Sequence, residues 1–74
     1  NYIMNQEVSM KLLVKEMMDE KGLSIDEVAH LSGLSTEIII RCINNDLSLP
    51  FDVLENIALG IDCGIYDLFD SPCK

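Results

Sequence analysis

The sequence is divided by closely spaced signals that end one helix and begin the next. A Lys-Gly pair ending at Gly22 is a helix stop. Ser24 opens a capping box, in which its hydroxyl accepts from the Glu27 amide while the Glu27 carboxylate reaches back. Gly33 stands where the chain must turn with positive φ, and Ser35 can cap the helix that follows. These signals predict short helices that are marginal alone and must pack on one another.

The apolar residues are spaced as they are in helices, and no segment alternates with period two. The spacing predicts an all-α, compact bundle of five helices. The inward residues expected from helix 1 to the last helical turn are Met10, Leu13, Val14 and Met17; Val28 and Ala29; Ile39 and Cys42; Leu54, Ile57, Ala58 and Ile61; and Ile65, Leu68 and Phe69. The segment 44–50 is predicted to be a loop, and Pro50 suits the first turn of helix 4.

The chain length indicates one domain. Seventy-four residues bury only ~60% of their unfolded surface, so stability depends on good packing or on a partner. We expect a tail at residues 1–8, a domain at 9–70 and a second tail at 71–74. No apolar run approaches the ~20 residues that cross a bilayer, and the first residues do not resemble a signal peptide. A cytoplasmic location is therefore expected.

The charge of the chain argues against nucleic acid as a partner. Thirteen acidic residues against five Lys and Arg give a net charge of −8 at pH 7. Proteins that bind nucleic acid usually carry the opposite sign, because release of counterions from phosphate drives much of their affinity. The charge of one face, however, decides binding more than the total charge does.

The cysteines do not predict a metal site. Cys42, Cys63 and Cys73 contain no C-x-x-C pair, and a site that added His30 would match no common zinc module. Reduced thiols are expected, buried at Cys42 and Cys63 and exposed at Cys73. No set of nucleophile, base and acid, no phosphate-binding glycine loop and no metal pair is present, so neither an enzyme nor a cofactor is expected.

Several motifs occur in a familiar order: EKGLS, then VAHLSGLS, then I-x-x-C-I-N-N, then DVLENIALGIDCGIYDLF. In this order they resemble the Cro/repressor-type helix-turn-helix family, also called Xre-like, over about residues 9–69. The ending is similar to compact members from Gram-positive bacteria and their mobile elements. The resemblance implies a lambda-repressor-like DNA-binding domain, with the helix-turn-helix at about residues 24–43 and double-stranded DNA as partner.

The resemblance also implies which residues meet DNA. Helix 3 would lie in the major groove with its N-terminal residues facing the base edges. The positions that correspond are Ser35, Thr36, Glu37, Ile40 and Arg41 on helix 3, Asn44 and Asn45 after it, and Lys21, Ser24 and Ile25 around the start of helix 2. Arg41 could bind guanine or phosphate, whereas Glu37 could accept only from a cytosine amine and would repel phosphate.

The sequence departs from the family pattern at a pair of charges. The family often pairs an Arg late in helix 1 with a Glu at the end of helix 3, and here these positions are Met18 and Ile43. Replacing both members of a buried ion pair by apolar residues is often neutral or stabilising, whereas losing one is strongly destabilising. We therefore expect Met18 and Ile43 to be buried near each other.

Several apolar residues are not explained by the core: Ile38 and Ile40 flank the inward Ile39, and Leu47, Leu49 and Leu59 are also expected to face outward. Scattered apolar residues are normal on a surface, but a contiguous patch indicates a protein partner or self-association. Taken together, the resemblance, the charge and these apolar residues leave two possible functions. One is a transcriptional regulator that binds DNA as a homodimer, and the other is an acidic protein-interaction module on the same scaffold.

Overall fold

Residues 11–70 are the part of the chain that the computed structural model describes. The elements, in chain order, are strand β1 (Lys11–Leu12), helices α1 (Val14–Lys21), α2 (Ile25–Ser32), α3 (Thr36–Ile43) and α4 (Phe51–Ile61), a 3-10 turn (Ile65–Leu68) and strand β2 (Phe69–Asp70). Met10, Cys73 and both expected tails lie outside the described residues.

The expectation of five helices is wrong, because the described residues form four α-helices and one 3-10 turn. The last turn stays short since β2 begins at once after it and pairs antiparallel with β1. This pairing also delays the start of α1 to Val14, and the Leu13 amide donates to the Leu68 carbonyl at 2.7 Å. Strand pairs of two residues leave no period-two pattern in a sequence.

The predicted helix ends are confirmed at atomic level. Gly22 and Gly33 both have φ of 68°, the left-handed conformation that favours glycine. The Ser24 hydroxyl accepts from the Glu27 amide at 3.1 Å, and the Glu27 carboxylate accepts from the Ser24 amide at 2.8 Å. The Pro50 expectation is off by one residue: it is the N-cap of α4, and the helix begins at Phe51.

Most of the predicted inward residues are buried, whereas Leu13, Met17 and Ile65 are only half-buried. Buried side chains are Leu12, Val14, Met18, Val28, Ala29, Ile39, Cys42, Leu54, Ile57, Ala58, Ile61, Leu68 and Phe69. Met17 and Ile65 are half-buried and pack against this core. The turn before β2 therefore closes the domain with Leu68 and Phe69.

Met18 and Ile43, which stand where the family often has an ion pair, differ in burial. Met18 is buried with 3% of its surface exposed, as expected, whereas Ile43 is only half-buried. Ile43 packs against the core cluster that contains Met18, and α1 and α3 are in contact. A charge at Met18 would therefore lie inside the core, while one at Ile43 would lie at its edge.

The expected surface apolar residues divide into two groups. Leu47 and Leu59 are exposed, at 51% and 81% of their surface, and His30 is exposed as well. Leu49, expected to be exposed, is half-buried and packs against the core. In the loop at residues 44–50, Asp46 and Leu49 are half-buried and the other residues are exposed.

A close approach between α2 and α4 occurs at a glycine. A Cβ added to Gly60 would lie 2.7 Å from the Leu31 carbonyl oxygen and 2.9 Å from the Ser32 amide nitrogen. Both neighbours are backbone atoms, so they could move away only if the helices separated. The absence of a side chain at Gly60 is what allows α4 to pack on the C-terminal end of α2.

Asn45 connects the loop after α3 to the first strand. Its φ of 63° is in the left-handed region, which Asn tolerates better than most residues. In this conformation its side-chain oxygen accepts from the Leu12 amide at 2.7 Å. The bond satisfies a partly buried backbone donor and fixes the loop next to the end of α3.

Substituting Gly60 by Ala tests the α2–α4 contact. Helix propensity favours Ala by ~1 kcal/mol, but the contact at 2.7 Å must force the helices apart, so we expect a net destabilisation of about 1–3 kcal/mol. Urea denaturation measures it. Gly64→Ala is the matched control, because its Cβ would meet only the Asp67 carboxylate, at 3.2 Å. A Gly60→Ala variant as stable as the wild type would disprove the close contact.

Candidate nucleic-acid interface

Helices α2 and α3 form a helix-turn-helix whose turn is fixed by backbone hydrogen bonds. After α2 the Gly33 amide donates to the His30 carbonyl and the Leu34 amide to the Ala29 carbonyl. The Ser35 hydroxyl then accepts from the Ile38 amide at 3.3 Å and starts α3. These bonds set the angle at which α3 leaves the turn.

The outer face of α3 carries the side chains that the resemblance assigns to DNA. Ile39 is fully buried, which turns Thr36 and Glu37 to solvent and leaves Ile40 43% exposed. Glu37, Ile38, Ile40 and Arg41 line one shallow depression on this face. The helix therefore offers a surface of mixed character, with one acid, one base and apolar side chains in contact with solvent.

The guanidinium of Arg41 is bonded to the loop that follows α3. Its Nε donates to Asp46 Oδ2 at 2.7 Å, and its Nη2 donates to Ser48 Oγ at 3.3 Å. The second oxygen of Asp46 accepts from the Ser48 hydroxyl at 2.6 Å and from the Ser48 amide at 3.0 Å. Arg41, Asp46 and Ser48 therefore form a closed cluster at the C-terminal end of the candidate recognition helix.

The bonds of this cluster favour the charged form of Asp46. Hydrogen bonds from the Ser48 side chain, and then from the Arg41 side chain and the Ser48 amide, lower the pKa of Asp46 to about 2. Asp46 is therefore ionised at neutral pH and offsets the positive charge of Arg41.

The other cations in residues 11–70 are also close to acceptors. Two lysines on the first strand and helix form ion pairs: Lys11 with Glu16 at 3.5 Å and Lys15 with Asp19 at 2.8 Å. Lys21 forms no ion pair in this part of the chain, and its Nζ donates to the Asp62 carbonyl at 3.5 Å. Pairs as exposed as these contribute little to stability, but they reduce the positive charge available to a phosphate.

The remaining predicted contact residues differ in exposure and in whether their side chains are already hydrogen-bonded. Asn44 is exposed as the C-cap of α3, while the side-chain oxygen of Asn45 is already bonded to the Leu12 amide. Ser24 is exposed, although its hydroxyl serves the capping box. Ile25 is half-buried against the core and offers only part of its side chain. The residues with free outward surface are therefore concentrated on α3.

Sequence reasoning missed Asp46 and Ser48, which hold Arg41. A signal was present, because Asp-x-Ser in a loop is typical of a turn in which the Asp side chain bonds the amide two residues on. An acid five residues after an Arg, beyond the end of the helix, does not by itself predict an ion pair. The pairing depends on the path of the loop.

The cysteines and other potential ligands form no site in the described part of the chain. Cys42 is buried as expected, whereas Cys63 is only half-buried. Both thiols are free, and burial raises the pKa of each. Residues 11–70 contain no group of three or more His, Cys, Asp or Glu side chains that could hold a metal ion. None of the helices in this range has the length and hydrophobicity to span a membrane.

The low pKa of Asp46 predicts how the cluster responds to acid. A carboxylate whose pKa is lowered on folding stabilises the folded state above its ordinary pKa of 3.8, and this contribution is lost as pH falls through about 2. The stability advantage of the wild type over Asp46→Asn should therefore be complete at neutral pH and should disappear between about pH 4 and pH 2. Urea midpoints at several pH values measure this difference.

A direct titration provides the control for that experiment. The side-chain carboxyl carbon of Asp46, followed by NMR, should titrate with a midpoint near 2. A midpoint at the ordinary value of 3.8 would mean that Asp46 does not hold Arg41 in solution.

Comparison with known proteins identifies the family of the chain. A family model described as a Cro/C1-type HTH DNA-binding domain matches residues 14–74, from the first residue of α1 onward. No curated protein and no solved structure matched the chain. The match includes all four helices, the capped turn before α3 and the closing turn, and it confirms the resemblance inferred from the motifs. The chain belongs to the Cro/C1-type HTH DNA-binding domain family.

Proposed function

We propose that this chain is a DNA-binding transcriptional regulator that reads sequence by inserting α3 into the major groove. The observation that carries the proposal is the outer face of α3, where Thr36, Glu37, Ile40 and Arg41 all contact solvent on a helix fixed by the α2–α3 turn. A helix presented in this way, with N-terminal side chains free, fits the width of the groove.

The chemistry of this face predicts base contacts rather than strong phosphate binding. Thr36 and Ile40 can contact thymine methyl groups, Glu37 can accept from a cytosine amine, and Arg41 can donate to guanine. Ser35 and the amides at the start of α3 can approach a phosphate, and so can the Ile25 amide at the start of α2. The Ser24 amide is already bonded to the Glu27 carboxylate, so Ser24 would reach DNA only through its side chain. Asn44 and Lys21 would supply the remaining backbone contacts.

We also propose that the regulator acts as a homodimer on a pseudo-palindromic site. A single subunit offers few contacts, and two subunits related by a twofold axis would double them across half-sites about one helical turn apart. Leu47 and Phe51 are 51% and 54% exposed. They line a groove together with Leu12, Asp46, Leu49 and Leu54. This apolar surface is the best candidate for the contact between subunits.

A second function is favoured by the charges. In residues 11–70, three of the cations are already paired with acids, including the one on α3. Glu37 adds a negative charge beside the exposed Ile40. An α3 that binds an apolar, basic partner protein would use the same face, so a protein-interaction module on this scaffold is the alternative.

Titration of labelled duplex at several salt concentrations tests DNA binding. Two subunits with Lys21 and the helix amides, and with Arg41 where it meets a phosphate and not a base, would neutralise at most on the order of 2–4 phosphates, so the log–log salt slope should be no steeper than roughly −2 to −4. We expect Glu37→Gln to strengthen binding to any duplex, because it removes repulsion from phosphate. Arg41→Ala should abolish most of the binding.

The outcome separates the two functions. If neither variant changes DNA binding, while Ile40→Asp disrupts a complex with a partner protein, the interaction module is the function. A steep salt slope of about −5 to −9 with tight binding would contradict our assignment of the acidic face, since it requires 6–10 phosphate contacts.

The dimer can be tested without DNA. The chain has a mass of 8.3 kDa, and we expect sedimentation at micromolar concentration to show a species of twice that mass. Phe51→Asp should convert it to a monomer by placing a charge in the apolar surface. Leu59→Asp is the matched control, because Leu59 is more exposed on the same helix but lines a different depression. A wild type that sediments only as a monomer would exclude the homodimer.

A further inference from the structure

We propose that Asp46 is a specificity-determining positioning residue, which holds the Arg41 guanidinium so that its free end reads one guanine in the major groove. This inference rests on the proposed function and adds to it the base that Arg41 contacts and the residue that directs it there. The alternative role for Arg41, contact with a phosphate, becomes an outcome of the test.

The geometry of the guanidinium decides which of its edges is free. The group carries N–H donors on a side edge, formed by Nε and Nη2, and on an end edge, formed by Nη2 and Nη1. Asp46 occupies Nε and Ser48 occupies one hydrogen of Nη2, so the side edge is closed. Within residues 11–70 no hydrogen bond uses Nη1. The open end edge can donate two parallel hydrogen bonds to the O6 and N7 atoms of a guanine.

The charge of the cluster favours guanine over phosphate. Attraction to phosphate depends on net positive charge, and the ionised Asp46 carboxylate at 2.7 Å offsets the charge of Arg41. The O6 and N7 atoms of guanine are neutral acceptors, so hydrogen bonds to them depend on the direction of the donors. Pairing with Asp46 therefore weakens the contact with phosphate, which carries no sequence information. It leaves the contact with guanine, which does carry it.

The cluster is held by bonds that do not depend on Arg41 alone. The Ser48 hydroxyl and amide both donate to Asp46, and the Asp46 amide donates to the Arg41 carbonyl at 3.0 Å. The neighbouring Asn45 is fixed to the Leu12 amide. The carboxylate is therefore placed before any ligand binds, which lowers the entropy lost when the arginine side chain is ordered on DNA.

The position of Arg41 places its side chain on the outer face of α3. Arg41 lines the same depression on α3 as Glu37, Ile38 and Ile40, with 49% of its side chain exposed. It lies one turn after Glu37, so a guanine that it contacts would be offset from the base pair at the N-terminal end of α3. Its place at the C-terminal end of α3 predicts a guanine at a fixed distance from the centre of each half-site.

The experiment selects bound sequences from a pool of duplexes with a randomised core of about two helical turns, in which half-sites one turn apart fit. We expect the wild type to enrich guanine at one position of each half-site. Asp46→Asn should reduce this preference about tenfold or more, the value of a good bidentate contact. It should also bind the unselected pool more tightly, with a salt slope steeper by about 1–2 for the dimer. Loss of preference with gain of affinity is a result that simple misfolding cannot give.

Three further variants separate positioning from charge and from folding. Glu55→Gln changes the net charge by the same amount on an exposed part of α4, and it should keep the guanine preference. Arg41→Lys keeps the charge but lacks the two-donor edge, so it should lose the preference and still bind the pool. Ser48→Ala removes one support of the cluster and should give an intermediate loss, even if Asp46→Asn proves too unstable to study. Urea denaturation of each variant verifies folding.

Two results would overturn the inference alone. A wild type that binds duplex without a guanine preference would show that Arg41 does not read a base. A guanine preference retained in both Asp46→Asn and Ser48→Ala would show that the cluster does not direct Arg41. A wild type that binds no duplex in the pool at any salt concentration would instead remove the proposed DNA-binding function, and this inference with it.

Discussion

The contact between Gly60 and the end of α2 sets the geometry on which the candidate interface depends. At Gly60 the backbone of α4 comes so near to the Leu31 carbonyl that no side chain fits between them. The position of α2 is thereby fixed at its C-terminal end, where the turn to α3 begins. Because Gly33 and Ser35 then determine the direction of α3, a shift of α4 would be transmitted to the outer face of α3. The direction of the outer face of α3 therefore depends on how α2 and α4 pack beneath it.

The features that the sequence predicted correctly are those whose cause is local. The capping box at Ser24, the left-handed Gly33 and the inward Ile39 each follow from a few neighbouring residues, and all are present. The fifth helix was wrong because β1 and β2 pair across almost the whole chain, and such pairing outweighs a short helical pattern. The Asp46–Arg41 pair was not predicted either, because it depends on the path of the loop after α3 and not on neighbouring residues. The assignment of positions to DNA comes from the family motifs alone.

The three isoleucines of α3 have distinct places, which explains their presence on a helix that would meet a polyanion. Ile39 is fully buried and holds α3 on the core. Ile38 is half-buried and Ile40 is 43% exposed, on either side of it. Ile40 shares a depression with Glu37 and Arg41, so its apolar surface is available to a thymine methyl or to an apolar partner. Its exposure alone favours neither function.

The net charge of −8 is compatible with a DNA-binding role if affinity and specificity are considered separately. Negative charge weakens attraction to every phosphate, and so it weakens binding to all sequences. Hydrogen bonds to base edges depend on geometry and are affected much less. Since a regulator must find its site among a large excess of other DNA, the ratio of specific to non-specific affinity matters more than either value. Under the proposed function, an acidic surface with one paired arginine on α3 would lower the non-specific affinity, and a complex this weak would need the contacts of both proposed subunits.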